Sequence, residues 1–285
     1  MLRTAPKHGP YVKRFLTQML LVIAALYVGF VLFAFFFSDS MMFLPHPSSY
    51  RDTAEIVKIP TASGKKIAAL YLPNPAARFT LLVSHGNAED LGDNRTWFEE
   101  LRRAGFSVFA YDYEGYGTSE GKPSERAAYQ DVAAAYEYLA VELHTPPERI
   151  VVFGRSVGSG PATYIAARRP NAGLILQSPF VSAFRVLTRI PLLPFDKFPN
   201  YKNIRHVHSP VLIMHSRADS LIGFWHGQKM FALANEPKQF FWAQTADHNE
   251  MDMARGYREA LQKFASTLAD RPPSSPPPVL APKVL

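Results

Sequence analysis

Gly154-Arg155-Ser156-Val157-Gly158 sets one serine between two glycines. The apolar run Ile150–Phe153 comes just before it, and an amphipathic stretch ending near Arg169 follows. A turn that joins strand to helix this abruptly strains its central residue, and a side chain at either flanking position would collide with neighbouring backbone. Glycine removes the collision, and the hydroxyl is pushed into solvent above the sheet, at the positive end of a helix. Such a serine can attack an acyl carbon. Alone it is a poor nucleophile at neutral pH, so it needs a base, and the base needs a third group to orient it.

In this strand–turn–helix setting the chain order is serine, acid, histidine, each at the carboxyl end of a later strand. Asp219 lies in His215-Ser216-Arg217-Ala218-Asp219, just past the run Val211–His215, and His248 lies just past Gln239–Trp242. Among nine histidines, His85 and His215 end strands but precede the wrong elements to be the base, and His206 and His208 sit in a connecting segment. Asp247 and Asp196 compete for the role of acid. Asp247 adjoins His248 and should point elsewhere, and Asp196 lies in the excursion after the sixth strand, so Asp219 is expected. Negative charge on a tetrahedral oxyanion needs donors aimed in advance, which backbone N–H groups supply. The expected pair is the N–H of Val157 and that of Asn87, in the loop Ser84-His85-Gly86-Asn87, with the Asn87 side chain incidental. The glycine-rich turn from Tyr111 to Ser119 should shape the pocket floor. It lacks the Gly-Lys-Ser/Thr ending of a phosphate loop. No His/Asp/Glu set has metal-ligand spacing, so neither a metal nor another cofactor is expected.

These side chains need a scaffold that brings strand ends together. Between Ser48 and Asp270, short apolar runs alternate with amphipathic stretches, the pattern of a mostly parallel sheet covered by helices. Eight strands are expected: Glu55–Ile59, Lys66–Leu72, Phe79–Ser84, Ser107–Tyr111, Ile150–Phe153, Gly173–Leu176, Val211–His215 and Gln239–Trp242. The first two form an antiparallel hairpin about Ser63-Gly64. The middle runs are nearly continuous Val, Ile, Leu and Phe, as strands covered on both faces must be. Helices are expected over Asn94–Arg103, Ser124–Glu142, Val157–Arg169, Phe224–Ala234 and Met253–Ala269. About 34 residues separate the sixth and seventh strands. Pro191, Pro194 and Pro199 leave room there only for a short helix near Ser182–Arg189, hence a small cap over an open site.

From Phe15 to Phe37 no residue is charged. These 23 residues would make a helix of about 35 Å, against a bilayer core of about 30 Å. The run is too long for a cleaved signal peptide, and bulky aromatics (Phe35, Phe36, Phe37) stand where a cleavage site needs small residues. It has no polar face either, so an uncleaved signal anchor is expected. Arg3, Lys7, Lys13 and Arg14 precede it, so the rule of positive flanks puts residues 1–14 in the cytoplasm and the bulk of the chain outside it. This flank accounts for much of the net charge of +7. No basic stripe with interleaved aromatics remains elsewhere, and no nucleic-acid partner is expected. Residues 271–285 are proline-rich and should form a disordered tail. The chain has no cysteine, which excludes disulfides, cysteine-based metal sites and a thiol nucleophile. Oligomeric state leaves no mark in the sequence.

Several motifs occur in register: His85-Gly86-Asn87-Ala88-Glu89-Asp90-Leu91-Gly92; Tyr111-Asp112-Tyr113-x-Gly115-Tyr116-Gly117-x-Ser119-x-Gly121-x-Pro123-Ser124-Glu125; Gly154-x-Ser156-x-Gly158; and Ser178-Pro179-Phe180. Over roughly residues 50–268 the chain resembles the abhydrolase-domain depalmitoylase-like subfamily of α/β hydrolases. The resemblance implies an α/β-hydrolase fold and a serine hydrolase with Ser156, Asp219 and His248 as triad, acting on acyl esters or thioesters. Eukaryotic members remove palmitate from proteins at the cytoplasmic membrane face. This chain has a spanning segment where they carry a lipidated cysteine cluster. Two other readings are a serine peptidase of proline-releasing type, which needs a larger cap with acidic residues, and a catalytically silent, membrane-tethered binding module.

Overall fold

The computed structural model describes residues 10–269, which fall into two compact units, divided between Met42 and Phe43. The basic segment before residue 10 and the proline-rich segment from 271 lie outside the described residues.

The first unit is one helix, α1 (Pro10–Met42). It extends five residues beyond the uncharged run at each end, because helical backbone bonds do not require apolar side chains. Over Tyr11–Met42 it is long and apolar enough to cross a membrane. Phe15, Leu21, Leu26 and Phe36 are each at least 65% exposed, a surface that water solvates poorly and lipid accepts.

The second unit holds one eight-stranded sheet in the order β1-β2-β4-β3-β5-β6-β7-β8. The strands are β1 (Ile56–Pro60), β2 (Lys66–Leu72), β3 (Thr80–Ser84), β4 (Ser107–Tyr111), β5 (Ile150–Arg155), β6 (Gly173–Gln177), β7 (Val211–Ser216) and β8 (Lys238–Ala243). β2 pairs antiparallel with β1 and β4, and every other pair is parallel. The expected strand count and hairpin are both present. Every residue of β3, β4, β5 and β6 is buried, which explains why these runs show no polar alternation. On one face α2 (Arg95–Arg103) and α7 (Tyr257–Ala269) bring Trp97, Phe98, Leu101, Leu261 and Phe264 against Leu81, Val83, Phe153 and Ile175. The other face carries α3 (Glu125–Glu137) and α4 (Ser159–Ala166), whose Val132, Ala135, Ala162 and Ile165 are buried. α6 (Trp225–Leu233) lies between β7 and β8 in the chain.

β3 lies between β4 and β5, so the chain leaves β3 toward one edge and later returns to its other side. Such a reversal opens a crevice beyond the carboxyl ends of the two central strands, where open α/β sheets bind ligands. The loop after β3 and the turn after β5 flank it.

Several helices differ from expectation. The stretch ending at Glu142 is α3 followed by a π-turn, Tyr138–Glu142. Ser124 caps α3 by accepting from the Ala127 N–H at 3.0 Å. Ser156–Gly158 is a 3-10 turn ahead of α4. α7 starts at Tyr257, because Gly256 has φ +91°, a left-handed conformation that interrupts a right-handed helix. The segment between β6 and β7 has a 3-10 turn at Phe184–Val186, a four-residue helix, α5 (Asn200–Asn203), and a second 3-10 turn at Ile204–His206 that continues it. Asp196 folds this segment back on itself, accepting from the Ser182 hydroxyl at 2.6 Å and the Phe184 N–H at 3.0 Å. The cap is small, as expected.

Asp131 of α3 is fully buried and accepts the Glu114 N–H at 2.9 Å, bracing the glycine-rich turn from inside. Burial pushes its carboxyl up to about 8, against the backbone bond, and the Glu114 charge adds to the rise. A folded-state value above the unfolded one means that protons bind the folded chain more tightly. The contribution of this site to stability is then greatest at low pH and falls as pH rises toward 8, by up to about 1.4 kcal/mol per pH unit. Asp131→Asn mimics the protonated form and is expected to flatten that slope between pH 5 and 8. Urea midpoints of the full chain in detergent measure this, and an unchanged slope would contradict it.

Candidate active site

β5 continues through Arg155, and the residue after it, Ser156, has φ +53°, a strained value for a residue with a side chain. A Cβ on Gly158 would lie 2.1 Å from the Ser84 carbonyl oxygen and 2.6 Å from that of His85. One on Gly154 would lie 2.5 Å from both the Gly158 carbonyl oxygen and the Ala162 Cβ. Gly158 therefore lets the serine turn pack directly against the end of β3, and Gly154 lets it fold back under the start of α4.

Ser156, Asp219 and His248 converge from β5, β7 and β8. The Ser156 Oγ is 2.9 Å from His248 Nε2, and His248 Nδ1 is 2.9 Å from Asp219 Oδ2. A carboxylate only accepts, so Nδ1 carries the hydrogen and Nε2, left without one, faces the Ser156 hydroxyl as an acceptor. Asp219 Oδ1 takes the N–H groups of Leu221 at 3.0 Å and Ile222 at 2.7 Å. Burial alone would raise the Asp219 pKa. Hydrogen bonds from His215 and His248, then the backbone, outweigh it and hold the carboxyl well below the usual range. All three side chains are buried, each less than a tenth exposed.

The rejected acids are occupied elsewhere. Asp247 accepts the His248 N–H at 2.7 Å and the Ser220 N–H at 2.9 Å, in a capping box with Glu250. It shapes the turn that carries the histidine. Asp196 stays within the cap.

The loop after β3 carries Asn87, whose side chain has a definite task. Its Oδ1 accepts from the Leu44 N–H at 3.0 Å, the Tyr116 hydroxyl at 2.6 Å and the Ala88 N–H at 3.0 Å. The Tyr113 hydroxyl donates to the His85 carbonyl at 2.7 Å. The tyrosines of the glycine-rich turn therefore brace this loop. Glu89 accepts the Gly86 N–H and lies 3.7 Å from Arg155, whose guanidinium covers the Trp97 ring at 5.1 Å. His85 is buried 3.1 Å from Asp112, and Asp112 also accepts the Tyr50 hydroxyl at 2.5 Å and the Leu91 N–H at 3.0 Å. Residues ahead of the loop, in the glycine-rich turn and in the serine motif itself are thus tied to one loop.

The structure also gathers His46, Asp90 and Asp93 within 4.8 Å, a grouping that linear spacing cannot reveal because more than forty residues separate the histidine from the acids. His46 pairs with Asp93 at 2.9 Å, and Asp90 accepts from Ser49, Gly92 and Asp93. These bonds pin the segment after α1 to the loop after β3.

A family model described as serine aminopeptidase, S33 matches residues 75–194. Human alpha/beta hydrolase domain-containing protein 17B is 37% identical over 225 residues, covering 78% of each chain. The 17C protein of Xenopus laevis is 38% identical over 220 residues, covering 75% of this chain and 70% of its own. An esterase of Pyrococcus furiosus superposes with a TM-score of 0.64 at 17% identity, over 80% of this chain and 98% of its own, a likeness of fold. At the identity and coverage of the human relative, the protein belongs to the alpha/beta hydrolase domain-containing protein 17 family and is a serine hydrolase of the α/β-hydrolase fold.

Proposed function

We propose that the protein cleaves acyl esters or thioesters through a covalent acyl-enzyme on Ser156. The Oγ attacks the acyl carbon while His248 Nε2 takes its proton, and Asp219 holds the resulting imidazolium. The N–H groups of Asn87 and Val157 receive the oxyanion. As the tetrahedral species collapses, His248 returns the proton to the leaving alkoxide or thiolate. Water, deprotonated by the same imidazole, then attacks the acyl carbon; the bond to Oγ breaks, His248 returns the proton to Oγ, and the fatty or other carboxylic acid leaves. The observation that carries this reading is the continuous bonding from Ser156 through His248 to Asp219, 2.9 Å at each step.

The small cap supports a substrate with a long acyl chain, since no large helical lid stands between β6 and β7 among the described residues. The aminopeptidase description of the matching family model raises the peptidase alternative, which needs acidic groups to hold a free amine. Asp196 is the one acid between Ser178 and Pro210, and its carboxylate is committed to Ser182 and Phe184. Ester or thioester cleavage is therefore favoured. We also assign α1 as a single membrane span with a cytoplasmic N-terminus and an extracytoplasmic hydrolase unit, on the excess of Lys and Arg before its uncharged run Phe15–Phe37.

The test combines labelling with a substrate series. Fluorophosphonate treatment of the full chain in detergent is expected to give an adduct on Ser156. Rates toward p-nitrophenyl esters should hold or rise as the acyl chain lengthens. No adduct on Ser156 contradicts the mechanism, and strict preference for acetate contradicts the substrate class. Faster cleavage of an N-terminal proline amide than of any ester would favour the peptidase.

A further inference from the structure

His215 is the last residue but one of β7, four residues before Asp219, and its side chain is fully buried. Its Nε2 is 2.8 Å from the Ile222 carbonyl oxygen and 3.3 Å from Asp219 Oδ2. A carbonyl only accepts, so Nε2 carries the hydrogen and shares it between the carbonyl and the carboxylate. Asp219 Oδ2 thus faces two imidazole N–H groups, His248 at 2.9 Å and His215 at 3.3 Å. The same ring ties down the turn that bears the acid, since Ile222 gives its N–H to Asp219 Oδ1 and its carbonyl to His215. The other nitrogen, Nδ1, is buried and makes no hydrogen bond among the described residues. A Cβ at Gly227 would lie 2.6 Å from it, so the backbone of α6 closes directly over the ring.

We propose that His215 is a positioning residue for the triad: its Nε2–H fixes the Asp219 carboxylate toward His248 and withdraws part of its negative charge from that histidine. This rests on the triad reading given above. Without the donor, the carboxylate turns more of its charge to His248 and is held less firmly. The imidazolium of His248 is then favoured, and the base is protonated at higher pH than in the native protein. Other titratable groups face the pair. His226, from α6, is pushed down to about 4 by burial and by the neighbouring His215, with Arg185 beyond it, so it stays neutral between pH 5 and 8. Asp247 meets the backbone N–H of His248 and is untouched by changes at 215.

Glutamine and asparagine differ here by reach. A glutamine amide nitrogen can stand close to the place of Nε2, whereas that of asparagine stops near the place of Nδ1. The experiment measures kcat and kcat/KM for a p-nitrophenyl ester from pH 5 to 9, on the full chain in detergent. His215→Asn is expected to lower kcat about ten- to hundredfold, as loss of a hydrogen bond to a charged group does, with KM little changed. The acid limb of kcat/KM should move to higher pH, by about half a unit or more. His215→Gln should restore both the rate and the limb. His215→Phe, which keeps a ring but no donor, should behave as asparagine does and stands in for it should that variant not fold. An acid limb that stays put or moves down overturns the proposal, as does a glutamine variant no better than asparagine. Labelling by fluorophosphonate separates the two readings. A wild type without an adduct on Ser156 refutes the triad, and this role with it. Normal labelling and activity with an unmoved limb refute the role of His215 alone.

Discussion

Ser156→Ala is expected to lower kcat toward an acyl ester by about 10³- to 10⁶-fold and to abolish the fluorophosphonate adduct. In the proposed mechanism the Oγ is the atom that forms the covalent bond, and alanine offers nothing in its place. What remains is the backbone donors of the crevice and whatever binding energy the acyl chain supplies, which together sustain a small residual rate over water. KM should move little, because the hydroxyl contributes to chemistry more than to ground-state binding. The fold should tolerate the change. Alanine faces the same penalty as serine at φ +53°, and the one side-chain bond lost is that to His248 at 2.9 Å, worth about 1 kcal/mol. A melting temperature near the native one, measured beside the rate, makes the comparison clean. A variant retaining a tenth or more of native kcat would remove Ser156 from the mechanism and leave the bonded chain of three side chains without a catalytic role.

The three side chains proposed as a triad could be picked out because each sits at a position marked by local signals. Ser156 has its glycines, its preceding apolar strand and its following helix. Asp219 and His248 each come shortly after an apolar run and before a helical one. What the sequence does not mark is what a side chain meets across the fold. His215 reads as the last residue of a buried strand, and its approach to Asp219 depends on how the turn 219–222 folds back. Asn87 was read for its backbone, yet its carboxamide ties the loop to Leu44 and to Tyr116, residues 43 and 29 positions away. Glu89 and Arg155 belong to different motifs and meet only because β3 and β5 are neighbours. One signal for the tyrosine brace was visible: Tyr111, Tyr113 and Tyr116 crowd a glycine-rich turn, where hydroxyls on a buried wall must find acceptors. Helix ends were the least legible part. The left-handed Gly256 and the π-turn at Tyr138–Glu142 depend on local geometry that amphipathic spacing does not encode.

Asp219→Asn is expected to lower kcat at neutral pH by about 10³- to 10⁴-fold while leaving the volume of the site unchanged. Two backbone N–H groups, of Leu221 and Ile222, donate to Oδ1, so the amide must turn its carbonyl oxygen toward them. The NH₂ group then stands where Oδ2 accepted from His248 at 2.9 Å. An amide donor there requires Nδ1 to accept, which moves the imidazole hydrogen to Nε2. With its hydrogen on Nε2, His248 points a donor at Ser156 and cannot take the serine proton. The same NH₂ faces the Nε2–H of His215, 3.3 Å from the old Oδ2 position, so two donors meet in a buried space and stability should fall by about 1–3 kcal/mol. The acid side of the stability profile gives an independent reading. A carboxyl held below its unfolded value contributes stability that is present above that value and lost as pH falls through the folded one. Asparagine has no such proton to bind, so the variant's urea midpoint should depend less on pH below about 4. Activity within tenfold of native, or an imidazole hydrogen found still on Nδ1 by nitrogen-15 NMR, would show that the orientation of His248 does not depend on the charge of residue 219.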